Sequence, residues 1–219
     1  MAETSVPTGP AGPAGLTRAA EEAAFYHEAG LNAAWTGVRL AIGGLSFGFG
    51  AFVFAFFYLR ALNTAHLFRE PGANPPTAWG VVVLVCVLAS VAGFEFARRQ
   101  LHVGTETPWR TASAAAWVIG LAAVVVQFTE YYYLHFGATA GGLASVFFGF
   151  TAVFAVFWLG AVYWMETLWA HSVRQPTTAG GDVHSPSALV RPSADSCMIF
   201  LYTMSVVEIF AFVLLYLVK

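Results

Sequence analysis

Apolar residues in this chain are gathered into five long runs. They do not alternate with polar residues, and they are not confined to one helical face. The runs lie at about Gly37–Leu59, Ala78–Phe96, Thr111–Leu134, Leu143–Trp169 and Cys197–Val218. Each is close to the roughly 20 residues needed to cross a hydrocarbon layer about 30 Å thick. In lipid such a run has to be helical, because each unpaired backbone N–H or C=O would cost several kcal/mol. Strands of a membrane barrel are about half as long and alternate in polarity, which excludes a barrel. The predicted architecture is therefore all-α, an integral membrane bundle of five transmembrane helices over residues 36–219.

Residues 1–35 follow another pattern. Met1–Gly15 is rich in Pro, Gly and Ala and reads as a disordered tail. Thr17 can then cap a short Ala- and Glu-rich helix to about Glu28, with Gly30 as its stop. This segment is too polar to span and is expected in water or on the membrane surface. It lacks the apolar run of a signal peptide, so insertion is expected to rest on the first span. Only His135–Gly142 separates the third and fourth runs, so those helices are expected to be antiparallel neighbours. The stretch 171–196 is long and rich in Pro, Gly and Ser, a candidate contact for a partner.

Charge gives the bundle a direction. Arg18, Arg39, Arg98, Arg99, Arg110, Arg174 and Arg191 fall on one side, and Arg60, Arg69 and Lys219 on the other. Cytoplasmic loops carry the excess of Lys and Arg, so the N-terminus is expected inside and the C-terminus outside. Trp35, Trp109, Trp164 and Trp169 fall near the inner boundary, and Trp79 with Tyr131–Tyr133 near the outer one. Composition agrees with a lipid solvent: 10% of residues are charged, against about 25% in soluble domains. Mean hydropathy is +0.67. A net charge of −2 removes nucleic-acid binding as a main theme. Arg predominates over Lys and Ala and Gly abound, which suggests a GC-rich bacterial gene and, with the spans, a bacterial plasma (inner) membrane as the expected location.

Candidate chemistry is sparse. Cys86 and Cys197 form no metal or disulfide spacing. All six histidines fall in loops or at span ends, so no catalytic residue, cofactor ligand or metal ligand is assigned to this chain. Small residues at four-residue spacing (Gly44, Gly48, Ala51 and Ala55; Ala89 and Gly93; Ala116 and Gly120) let helix backbones approach closely in lipid. Among them Gly44, Gly48 and Gly120, together with Gly160, are the expected close-packing positions. Glu95 precedes Arg98 and Arg99 by three and four residues and reads as a snorkelling ion pair. Glu166 also lies near the inner boundary. Glu130 lies deeper, with Gln127 one turn before it on the same face. Glu208, near the middle of the last run, is the costliest. It is expected either to stay protonated and hydrogen-bond across helices, or to pair with an Arg or Tyr.

At the third run a likeness emerges. Ile119-Gly120 followed by Gln127-Phe-Thr-Glu130-Tyr131 resembles the Gly…Gln-x-x-Glu-Tyr pattern of haem–copper oxidase subunit III. The next run is similar to that family's Ser-x-Phe-Phe-x-x-Thr-Gly-x-His-Gly-x-His stretch through Ser145, Phe147, Phe148, Thr151 and Gly160. Phe57-Tyr58-Leu59-Arg60, Pro71-Gly72-Ala-Asn74-Pro75-Pro76 and the closing Leu214-Leu215-Tyr216-Leu217 extend the likeness over most of residues 35–219. Departures are plain: Phe154 and Phe157 stand where the family has histidines, Gly44 where it has an acid, and Leu201–Ser205 where it has a Trp-His-Phe-Val-Asp segment.

The resemblance implies a divergent, short five-helix form of a non-catalytic subunit. Such a subunit packs on the catalytic subunit of a respiratory terminal oxidase, binds phospholipid and supports proton uptake during oxygen reduction. It also implies that haem and copper reside in that partner and that Gln127, Glu130 and Tyr131 serve as structural or interface polar sites, a role that its mid-span position gives to Glu208. Other readings are an accessory subunit of another respiratory complex, such as a nitric oxide reductase, or a small stand-alone transporter. Against the transporter, no proline is expected inside a span and no inverted repeat is visible.

Overall fold

The computed structural model describes residues 13–63, 68–69, 71–174 and 186–218, with the backbone alone at 13–28, 30–32 and 186–189. The tail up to residue 12 and the centre of the 171–196 stretch lie outside the described residues. Five long helices make up the fold: α1 (Pro13–Ala61), α2 (Thr77–Val103), α3 (Glu106–Tyr133), α4 (Gly142–Arg174) and α5 (Pro186–Phe212). A π-helical turn, Val213–Leu217, continues α5. No strand occurs among the described residues. Five stretches are long and apolar enough to cross a membrane: Ala33–Ala61, Thr77–Val103, Glu106–Tyr133, Gly142–Arg174 and Val190–Leu217. By length and composition they point to a multi-pass membrane protein.

These helices outrun the apolar runs, for a physical reason. At 1.5 Å per residue, stretches of 27 to 33 residues reach roughly 40–50 Å, longer than a hydrocarbon layer of about 30 Å is thick. Past the apolar runs the sequence turns polar while the backbone stays helical. The sequence reading ended the second span at Phe96, yet α2 runs on to Val103 and α3 begins at Glu106. Only Gly104 and Thr105 join them. Gly104 takes φ +88°, a left-handed conformation that L side chains disfavour, and its N–H closes onto Gln100 O and Leu101 O. The tightest hairpin is therefore α2–α3, while α3 and α4, expected as antiparallel neighbours, also pack on each other.

Two further expectations are corrected. Gly30 does not end a short surface helix, because α1 is continuous from Pro13 to Ala61. One mid-helix glycine costs only about 1 kcal/mol against alanine, and helix formers surround it. Prolines do occur in the spanning helices. Pro108 sits in the first turn of α3, where an N–H would be unpaired anyway. Pro192 lies inside α5 near the start of its spanning part, because that helix begins at Pro186 instead of near Cys197.

Helices α2, α3, α4 and α5 form a ring in which each packs on its two neighbours, and α1 lies outside against α4 and α5. Phe94, Trp109, Phe147, Phe150, Trp158 and Met204 fill the ring with almost no exposed area. The outer surface is apolar as well, with Phe47 84% exposed and Val156 69% exposed, which suits lipid contact. Leu143 donates its backbone N–H to Phe68 O at 2.7 Å, tying the α1–α2 connection to the start of α4.

Gly120 is close-packed where three helices meet. A Cβ there would stand 2.9 Å from Ser90 Oγ on α2 and 3.0 Å from Val162 Cγ2 on α4. Ser90 donates to Ala116 O at 2.8 Å, and the Trp158 indole donates to Gly120 O at 2.9 Å. Gly93 meets Ala116 across the α2–α3 contact. Close packing at Gly44, Gly48 and Gly160, by contrast, is not part of this fold. Nothing described lies within 4 Å of a Cβ built at any of the three. Gly44 and Gly48 instead line a shallow apolar groove between α1 and α4, with Val153 and Phe157 opposite.

Candidate functional site

The polar residues of the third apolar run converge at the end of the bundle away from most of its arginines. On α3, one turn carries Gln127 and Glu130 to the same buried face. Gln127 Nε2 donates to Glu130 Oε2 at 2.8 Å. The Tyr216 hydroxyl, from the π-helical turn, reaches both oxygens of Glu130 at 2.9 Å. Glu130 has no measurable exposure, and Gln127 has 4%. A carboxyl group buried this deeply needs such donors, because an unpaired one would cost several kcal/mol.

Beside it, Tyr131 turns to α4. Its hydroxyl donates to Thr151 Oγ1 at 2.6 Å, and Thr151 donates onward to Phe147 O at 2.6 Å. The Tyr131 ring lies edge-on to Phe147 and tilted against Phe148. Phe147 also meets Tyr216 edge-on, with ring centroids 5.8 Å apart. One cluster thus ties α3 to α4 and to the end of α5. Gly80 on α2 makes room for it: a Cβ at that position would stand 2.7 Å from the Tyr216 ring.

Glu208 is 6% exposed on α5, eight residues before Tyr216. Among the described residues the expected hydrogen bond or pairing with Arg or Tyr is not made. Its carboxyl forms no hydrogen bond among the described residues, and the Tyr131 and Tyr216 hydroxyls bond Thr151 and Glu130. Glu130 lies within electrostatic range of it.

A second polar group lies at the opposite, basic end. Arg98 donates through Nε to Glu95 at 2.8 Å, through a terminal nitrogen to the same carboxylate at 3.0 Å, and through the other to Asp195 at 2.9 Å. Arg99 Nε adds a 2.7 Å bond to Glu95. His102 Nε2 lies 2.9 Å from Asp195 Oδ1. The local ion pair read at Glu95 is thereby joined to α5. Glu106 and Arg110 pair along α3 at 3.3 Å. Glu166 is half-buried on α4.

Sequence reasoning brought out Gln127, Glu130 and Tyr131 but missed the partners from other helices. Asp195 had a signal, because Arg191 stands four residues before it, a helical spacing within a stretch read as loop. Gly80 had none, as its value depends on where Tyr216 lands. Cys86 and Cys197 are free thiols. Among the described residues no three His, Cys, Asp or Glu side chains converge as metal ligands would. What the cluster offers chemically is carboxyl and phenol groups in an apolar interior, able to bind helices together and to hold protons. Compared with known proteins, the chain matches no family model and no curated protein.

Proposed function

We propose that this chain is a non-catalytic, subunit III-like component of a respiratory haem–copper terminal oxidase. In this reading it lies in a bacterial plasma membrane with its basic end in the cytoplasm. It stabilises the catalytic subunit, and the redox metals belong to that partner.

One observation carries the reading. The two separate segments that resemble the family, Gln127-x-x-Glu130-Tyr131 and Ser145-x-Phe147-Phe148-x-x-Thr151, meet in space through the Tyr131–Thr151 hydrogen bond and the contacts of Tyr131 with Phe147 and Phe148. Residues twenty positions apart along the chain form one unit, so the motif is spatial as well as linear. The bundle favours a scaffold over an alternating-access carrier, because its interior polar groups bond one another across α3, α4 and α5. A helper subunit works by packing, and its outer helix faces are apolar enough to be covered by lipid or another subunit.

The test is purification of the tagged chain from its native membrane in mild detergent. Haem absorbance and a large co-purifying subunit are expected, with oxygen consumption in the eluate. A colourless chain that elutes alone from oxidase-containing membranes would sink the proposal. A haem-containing eluate that reduces nitric oxide but consumes no oxygen would move the chain to a different respiratory assembly.

A further inference from the structure

The apolar row by which α1 packs on the bundle continues past the bundle's end. Val38, Leu45, Phe49 and Phe56 are buried, with Ile42 and Phe52 half-buried between them. They succeed one another at three and four residues, one face of a helix. The same spacing runs on toward the helix start through Ala34, Leu31, His27, Ala23, Ala20 and Leu16. His27 is the single polar position in that row. Because α1 is one unbroken helix from Pro13 to Ala61, these positions keep the register of the packed face.

The neighbours of α1 stop short of it. A Cβ at Gly142 would stand 3.5 Å from Leu59 Cβ, and one at Gly149 2.9 Å from Phe52 Cε1. Each step back along α1 is therefore a step forward along α4, and the end of α4 at Arg174 comes about level with His27. Helix α5 is antiparallel to α4, since Trp164 meets Phe200 and Phe147 meets Tyr216. Pro192 of α5 lines one cleft with Trp35, so its start at Pro186 is about level with Ala29. The part of α1 from Pro13 to Tyr26 thus continues roughly 20 Å beyond both helices it packs on.

Charge says what suits this projecting face. At about 100° per residue, Glu21 and Glu28 fall beside one edge of the apolar sector, past Ala24. Glu22 falls beside the other edge, past Ala19 and Tyr26. Arg18 and Phe25 fall opposite the row. Both edges are therefore acidic. A second copy would set acidic edges against acidic edges. Helices that lie on a membrane surface carry Lys and Arg on one face and Trp, Phe or Leu on the other, whereas here acids border a row rich in alanine. An apolar centre with a charged rim is the anatomy of a protein interface. Its complement is an apolar stripe with a basic rim.

We propose that the projecting part of α1 is a docking helix for a partner protein outside the membrane, met by a partner helix whose apolar stripe is flanked by Lys or Arg. The inference rests on the continuity of α1 and is independent of the oxidase assignment.

The test uses the full chain in phosphatidylcholine nanodiscs and two synthetic helical peptides read by fluorescence anisotropy. Both carry one Leu/Ala stripe, edged with Lys in the first and with Glu in the second. The Lys-edged peptide should bind about tenfold more tightly, as two or three exposed charge pairs would give. Equal binding of the two, or binding of neither, overturns the proposal. Ala20→Gln/Ala23→Gln, which interrupts the apolar row and leaves every charge, should weaken the Lys-edged complex at least tenfold. Glu21→Lys/Glu22→Lys/Glu28→Lys, which leaves the row intact, should transfer the preference to the Glu-edged peptide. An unchanged complex in the first variant or an unchanged preference in the second overturns it. An Ala20→Cys chain distinguishes the other occupants. Its cross-linking to a second copy would give the face to self-association. Its protection from a water-soluble thiol reagent when phosphatidylglycerol is added to the discs would give it to the membrane surface. Either result overturns the assignment.

Discussion

At the residue scale, Tyr216 and Glu130 are the informative pair. The phenol reaches both carboxyl oxygens because Gly80 leaves its ring a place against α2. Tyr216→Phe keeps the ring and removes the donor, leaving Glu130 with Gln127 alone. Loss of a partner from a buried carboxyl should cost roughly 1–3 kcal/mol, read as a lower melting temperature in detergent with unchanged helical content. Glu208 differs, for no hydrogen bond among the described residues holds it. Glu208→Gln keeps its shape without any charge, so the chain should accumulate and melt as the parent does. Selective loss of a co-purifying complex in that variant would show that its charge is used at an interface.

At the element scale, the turn between α2 and α3 shows how a helix ends beyond its apolar run. Glu95, Arg98 and Arg99 support the last turns of α2 through i,i+3 and i,i+4 pairs, and Gly104 stops it. Because Gly104 is held at φ +88°, Gly104→Ala should destabilise the chain by roughly 1–2 kcal/mol, the cost of a left-handed L residue, in a thermal or denaturant titration. Gly104→Asn, which tolerates that region better, should recover part of the loss. The π-helical turn at the other end of the bundle carries Tyr216, whose hydroxyl meets Glu130 on α3. That contact could not be read from Val213–Leu217, an apolar stretch with a single hydroxyl.

At the scale of the whole molecule, the glycines separate what the chain needs for itself from what it presents outward. Gly120 sits where α2, α3 and α4 meet, and Gly120→Ala should cost roughly 1–3 kcal/mol by overpacking. Gly44 touches nothing described, and a helix gains about 0.5–1 kcal/mol from alanine in place of glycine. Gly44→Ala should therefore stabilise the isolated chain, measured as a higher melting temperature. The two substitutions have identical chemistry and opposite expected signs, and only position in the bundle distinguishes them. If the same Gly44→Ala chain lost its complex while melting higher, the α1 face would be identified as an interface between subunits.

Much of this protein was legible before any coordinates. Five runs of apolar residues dictate five helices, because lipid offers no partner to an open backbone, and that constraint is local. The pairing of Glu95 with Arg98 and Arg99, and of Gln127 with Glu130, also follows from helical spacing alone. Their completion does not. Tyr216 finds Glu130 from 86 residues away, Arg98 finds Asp195 from 97, and Gly80 matters only because a ring from the last turn lies on it. Helix ends escaped the sequence reading for a related reason, since hydropathy marks where lipid stops and not where the backbone bonds stop. The sequence by itself therefore determined the number and kind of elements, through the solvent they must satisfy. Tertiary structure decided which polar groups share a site and which glycines are buried, because those depend on the relative rotation and depth of helices far apart in the chain.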